Sequence, residues 1–251
     1  MVSFPQFNNI SFKASITDKE IDSLKSAKQY FSDCYLLGTL EALSNSENGR
    51  EVLKEQIQHS DILPNHLDCY LYKKNGEKEL YSVPTSDRLK GYEKVYDNQA
   101  NDIVRSLDIS VNEFERKHDT KPFFCKIVEM FKDYSFEYYL PSKFMEMLTG
   151  VKPRVIGETD LNLSLIGHKE ELMELFKKMV EEKNYSFIFS TGPKALDGHK
   201  WHVYVIEDID LENETITVKE KRENIPQTMS IDDALKSFKS IAGYLNSDLE
   251  K

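Results

Sequence analysis

Long hydrophobic runs are missing from this 251-residue chain. No apolar stretch approaches the ~18 residues that a membrane-spanning helix needs, so no membrane partner is expected. Cysteine is scarce, with three in all: Cys34, Cys69 and Cys125. The segment Met1 to Asn9 lacks the basic region and hydrophobic core of a secretory signal. Reduced thiols, rather than a disulfide framework, are therefore expected. Basic residues are outnumbered: 33 Lys and Arg stand against 43 Asp and Glu, a formal net charge of −10. Non-specific nucleic-acid binding needs lysine and arginine to displace counterions, and no basic stripe is present, so nucleic acid is not an expected partner. There is no glycine-rich phosphate loop, internal repeat or low-complexity segment.

Metal-ligand patterns are equally thin. His199 and His202 are three apart on a strand-like run, and residues at that spacing point to opposite faces, so they cannot chelate one ion. His66 and Cys69 lack a matching second pair. Asp208 to Glu212 is similar to the start of a calcium loop, but Asn213 takes the glycine position and Lys219 the closing glutamate position. A hairpin turn is the better reading there. No metal and no cofactor are expected.

What is present reads as a globular chain, 39% hydrophobic and 30% charged, with material for one large domain or two lobes. Its most informative run is Gln29-Tyr30-Phe31-Ser32-Asp33-Cys34-Tyr35-Leu36-Leu37. Leu36, Leu37, Leu40 and Leu43 recur at helical spacing, and Ser32 or Asp33 is a candidate N-cap. That spacing puts Cys34 in the first helical turn. Unpaired backbone N–H groups and the positive end of the helix dipole favour a thiolate at such a place, and the thiolate is the nucleophile.

The second informative run is Gly198-His199-Lys200-Trp201-His202-Val203-Tyr204-Val205-Ile206. It follows a strand-like stretch, Tyr185 to Ser190, and a loop from Thr191 to Gly198. His199 is thus placed at the mouth of a strand, where a scaffold can aim an imidazole. A third strand, Thr215 to Lys221, ends near Glu220 and Asn224, either of which can orient an imidazole by hydrogen bond.

Together these runs resemble the calpain-type branch of the papain-like cysteine proteases. That family has a Gln, an Asp-Cys-Trp/Tyr-Leu-Leu helix start, a Gly-His-x-aromatic-x-Val strand and an Asn after the next strand. Phe123 to Phe131, Met147-Leu148-Thr149-Gly150 and the hairpin-like Cys69 to Val83 stretch are similar to further parts of its core. The resemblance implies an α+β, two-lobed papain-like fold in one catalytic domain. By that resemblance, residues 1–155 are expected to form a helical lobe with the nucleophile, and residues 156–251 an antiparallel-sheet lobe with the general base. It implies Cys34 as nucleophile, His199 as base and later acid, and Gln29 as oxyanion donor beside the Cys34 N–H. Protein or peptide is the implied substrate.

Three positions depart from the family. Gln29 precedes the cysteine by five residues, where the family has six, and Lys28 takes the expected place. Strand counting puts Glu220 at the family Asn, whereas the nearby Pro226 favours Asn224. The family's Trp after Asn-Pro is missing; Trp201 is the single tryptophan. Within enzymes the alternative is another thiol acyl-transfer activity, such as a deubiquitinase, deamidase or transamidase. Outside them it is a catalytically silent binding protein on the same scaffold. The expected location is the cytoplasm, or the outside after export as an effector without a classical signal.

The remaining elements follow from local pattern. Thr17-Asp18-Lys19-Glu20 reads as a capping box that opens a short helix. A helix is expected over Arg50 to Ile57, and a hairpin over residues 67–83 with its turn at Asn75-Gly76. Residues 84–121 read as loops with short helices. Lys169 to Lys183 is expected to bury Leu172, Met173, Leu175, Phe176, Met179 and Val180. A last helix starts at Ser230, with Asp233 in the reciprocal capping position, and buries Leu235, Phe238 and Ile241. Cys69 and Cys125 read as inert core residues, and His59, His66, His118 and His168 as surface histidines.

Overall fold

The computed structural model describes residues 14–27, 34–86, 101–118, 141–157, 165–192 and 202–250. Within them the chain is an α+β protein with seven α-helices and two antiparallel sheets. The helices are α1 (Asp18–Leu24), α2 (Cys34–Ser44), α3 (Glu47–Gln56), α4 (Asp102–His118), α5 (Pro141–Thr149), α6 (Lys169–Glu182) and α7 (Ile231–Ser237). None is long and apolar enough to cross a membrane.

The smaller sheet has the order β1 (Ala14–Ser15), β2 (Ile57–His59), β3 (His66–Tyr72), β4 (Lys78–Pro84). Its β3–β4 hairpin is the one expected from the sequence. Gly76 supplies the positive φ of 82° at the turn, a conformation that costs glycine little. The larger sheet contains β5 (Arg154–Ile156), β6 (Tyr185–Thr191), β7 (Val203–Asp210), β8 (Thr215–Glu220), β9 (Pro226–Ser230) and β10 (Phe238–Leu245). Its order is β5-β10-β6-β7-β8-β9.

The inner strands of this six-stranded sheet are buried on both faces. Ile188, Val203, Val205, Ala242 and Tyr244 face the first core, which α1 to α5 and the small sheet complete. Phe187, Phe189, Tyr204, Ile206 and Val218 face the second core, which α6 and α7 cover. The alternation along β6 and β7 is the period of two of a strand, here with apolar side chains on both sides. The two halves of the chain thus share the sheet as a common wall.

Helix α2 lies directly on that wall. A Cβ at Gly38 would stand 2.6 Å from the Val203 Cγ1, so the helix comes this close only because glycine has no side chain there. At the other end of the first core, the Tyr244 hydroxyl donates to the Val151 carbonyl at 2.7 Å and meets Thr149 Oγ1 at 2.8 Å. That joins the end of α5 to β10 of the larger sheet.

Local signals set the ends of several helices. Thr17 accepts from the Glu20 N–H at 3.3 Å, and Glu20 accepts from the Thr17 N–H at 2.8 Å, the expected capping box. Ser230 accepts from the Asp233 N–H at 3.1 Å, so α7 starts where expected. It ends at Ser237, however, and Phe238 and Ile241 belong to β10 rather than to a helix. The run Phe238-Lys239-Ser240-Ile241-Ala242-Gly243-Tyr244-Leu245 is claimed by pairing with β6 and β5 on its two sides. Residues 84–121 also differ from expectation, since α4 spans 17 residues. Ile103, Val104, Leu107, Val111 and Phe114 recur on it at helical spacing, and Ser106, Asp108 and Ser110 are buried as well. In α6, Val180 is exposed where a buried side chain was expected.

Candidate active site

Cys34 is the first residue of α2, and its backbone N–H is among the four that an α-helix leaves without an intrahelical acceptor. It is half-buried and packs against the first core, and both it and Cys69 are thiols. The rest of α2 is held by burial: Tyr35, Leu36, Leu37, Leu40 and Leu43 are all within the core. Tyr35 stands edge-on to Phe144 of α5, with centroids 5.4 Å apart.

Residues 34, 38 and 41 share one face of α2 at helical spacing. Gly38 meets Val203 of β7 and Ile188 of β6. Glu41, fully buried, meets the ammonium groups of Lys219 and Lys221 on and just after β8. Cys34 therefore sits at one end of a stripe that lies across the larger sheet.

Gln29, Ser32, Asp33, His199, Trp201 and Cys125 lie outside the described residues. The chain enters the described part of the second strand run at His202, which is buried at 4% exposure. Its ring does not face α2. It stands edge-on to Tyr204 (centroids 5.8 Å apart) and bonds to the Glu220 carboxylate, on the second-core side of the sheet. Its backbone pairs with Thr191: the His202 N–H donates to Thr191 Oγ1, and the Thr191 N–H donates to the His202 carbonyl, both at 2.8 Å.

Glu220 and Asn224, the two candidates for a third group, part company in the structure. Glu220 is directly opposite Tyr204 in the β7–β8 register and shares its face. Burial pushes its carboxyl upward in pKa, but the N–H groups of Glu223 and Arg222 and the His202 ring outweigh that, so the net direction is down. The Glu223 N–H lies 2.9 Å from Oε2. Asn224 is on the other side. Its Oδ1 is 3.4 Å from the Lys221 Nζ, within the cluster that touches α2. Its backbone takes φ 59°, a left-handed conformation that asparagine adopts more readily than most residues. The Asn224 N–H donates to the Glu220 carbonyl at 2.9 Å, which closes the turn.

The carboxylate of Glu220 has a consequence for acid stability. Because its folded pKa lies below 4.5, its contribution is present above that value and is lost as pH falls through the lower folded value. Glu220→Gln is expected to lower stability at pH 7 by about 1–3 kcal/mol and to flatten part of the loss below pH ~4.5. Urea midpoints measured from pH 7 to pH 3 check this; a variant with the parent's acid profile contradicts it.

The buried charges between α2 and β8 were not legible in the sequence. Glu41 contacts both lysines, and Lys219 also pairs with Glu207 at 2.7 Å. For Lys221, burial is the larger influence and draws its pKa down against the pull of Glu41. For Lys219, burial also draws downward, but Glu207 and Glu41 prevail and raise it. The one local signal was an acidic residue inside the apolar run Leu40-Glu41-Ala42-Leu43. The pairing of His202 with Glu220 likewise joins residues 18 apart and needed the β7–β8 register to be seen.

The remaining histidines and the hairpin turn fall close to expectation. His59 is an exposed partner of Glu20 at 3.0 Å, and His118 is a partly exposed partner of Glu79 at 2.7 Å. Asp210 accepts from the Asn213 N–H at 2.9 Å, the local bond of a tight turn between β7 and β8. No protein-family model matches the chain, and no curated protein is similar to it in sequence.

Proposed function

We propose that this chain is a papain-like, calpain-type cysteine peptidase that cleaves protein substrates through a thioester on Cys34. The observation that carries the reading is the position of Cys34 at the start of a buried helix lying on an antiparallel sheet. It is one helical turn from Gly38, which touches Val203, and His199 precedes Val203 by four residues. Four residues span at most ~14 Å and one helical turn rises ~5.4 Å, so the chain length between Val203 and His199 permits the approach that this reading requires.

In this reading His199 takes the thiol proton, and the thiolate attacks the substrate carbonyl carbon. The tetrahedral species collapses, the C–N bond breaks, and the imidazolium gives its proton to the leaving amine. Water, deprotonated by the same imidazole, then hydrolyses the thioester. The N–H of Cys34, with Gln29, serves the oxyanion. Asn224 is the preferred orienting group, because its amide stands on the α2 side of the sheet. Glu220 is held by His202 on the other face.

The test is a mass-spectrometric survey of a cell extract treated with the protein and, in parallel, with Cys34→Ser. New protein N-termini that need Cys34 are the expected result. Cys34-dependent gains of about one dalton at glutamine, without new N-termini, replace peptidase with deamidase, since both pass through the same acyl-enzyme. No Cys34-dependent change of either kind leaves a silent scaffold and overturns the proposal.

A further inference from the structure

Lys221 is fully buried, which is rare for lysine unless it is paired. Its Nζ meets three acceptors: the Glu41 carboxylate on α2, the carbonyl of Lys25 just after α1 at 3.2 Å, and Asn224 Oδ1 at 3.4 Å. Neutralising Glu41 does not require it, because Lys219 already contacts the same carboxylate. What Lys221 alone adds is a junction between the helix that begins with Cys34, the end of α1 and the turn that carries Asn224.

We infer that Lys221 is a positioning residue of the proposed site, holding the Asn224 amide in one orientation and tying it to the helix of Cys34; the inference rests on the cysteine-peptidase reading. The chemistry dictates the orientation. An ammonium has donors only, so it must face the amide oxygen and not the NH2. The terminal torsion of asparagine is otherwise broad and nearly two-fold. A carbonyl oxygen has two lone pairs. Lys221 takes one, which leaves the second for an imidazole N–H and polarises the carbonyl toward it. The left-handed backbone at Asn224 and its bond to the Glu220 carbonyl fix the start of the same side chain.

The experiment is the double variant Glu41→Gln with Lys221→Met, which removes the charged pair and keeps side-chain volume. Replacing a buried ion pair with neutral groups of similar size often leaves stability unchanged. Four readouts are taken: the urea midpoint, the alkylation rate of Cys34 by iodoacetamide, kcat and KM on fluorogenic casein, and the Asn224 side-chain NH2 resonances. The expected result is a folded variant whose Asn224 NH2 pair shifts more than those of other asparagines. Alkylation stays within about twofold, KM is unchanged, and kcat falls about tenfold or more, roughly one pK unit's worth of lost alignment.

An unmoved Asn224 signal, or an unchanged kcat, overturns the inference. So does a joint fall of kcat and alkylation, which would put the effect on the nucleophile's helix rather than on Asn224. If the double variant unfolds, Lys221→Arg keeps the charge but replaces the point contact, and the same amide and kcat readouts decide. A parent protein without Cys34-dependent turnover sinks the peptidase reading as well; a parent that turns over, beside an equally active variant, sinks this inference alone.

Discussion

Iodoacetamide is expected to label Cys34 at least about a thousandfold faster than Cys69 in the folded protein at neutral pH. The two thiols differ in access and in ionisation. Cys69 is fully buried on β3, and burial pushes its thiol up to about 12 from the ordinary 9.0. That shift alone reduces its thiolate population about a thousandfold, at tenfold per pK unit. Cys34 is half-buried, at the start of α2, where the positive end of the helix dipole favours an anion. Cys34→Ser should then lower turnover by about four orders of magnitude, because a hydroxyl is a far weaker nucleophile under the same base. Peptide mapping after timed alkylation reads the first effect, and casein hydrolysis the second. Equal, slow labelling of both cysteines argues against an activated thiol and for a scaffold without chemistry.

The largest stability effect is expected at Glu41. Glu41→Ala leaves Lys221 buried with a backbone carbonyl and an amide oxygen as its remaining partners among the described residues, whereas Lys219 keeps Glu207. Breaking a buried pair from one side typically costs about 3–5 kcal/mol, because the remaining charge is uncompensated. The pH dependence has a definite sign. Burial already holds the folded pKa of Lys221 below 10.5, and loss of Glu41 removes the influence that opposes it. Between the folded value and the unfolded value the unfolded chain binds the extra proton, so stability rises with pH in that window. The deficit of Glu41→Ala relative to the parent is therefore largest near pH 7 and shrinks toward pH ~10. Urea midpoints at several pH values measure it. A deficit that is constant or grows with pH contradicts the assignment of the buried charge to Lys221.

Much of the secondary structure was legible because it depends on residues close together in the chain. The capping box at Thr17, the start of α7 at Ser230 and the β3–β4 turn at Gly76 involve partners within a few residues. Helix α6 declared itself through Leu172, Leu175, Phe176 and Met179, which recur on one face. At β10, tertiary pairing competes with local pattern. Phe238 to Leu245 followed a well-capped helix and carried apolar residues that also fit a helical stripe, yet strand partners on both sides claimed it. Helix α4 carries Ile103, Val104, Leu107, Val111 and Phe114 at helical spacing, so its stripe was legible in the sequence and the loop reading overlooked it.

The candidate site divides in the same way. The sequence by itself determined that Cys34 starts a helix, that β7 and β8 are joined by a tight turn, and that Glu220 and Asn224 lie close to the end of the second strand. These follow from N-terminal chain geometry, alternation and turn chemistry, all of which act over short range. Only the tertiary structure decided which face each group takes. A change of one position along a strand moves a side chain to the other side of the sheet, and the β7–β8 register put Glu220 with His202, away from α2. The same register brought Lys219 and Lys221 to Glu41 across the shared wall. Contacts between residues 180 positions apart depend on the packing of a helix against a sheet, and no local preference encodes that distance.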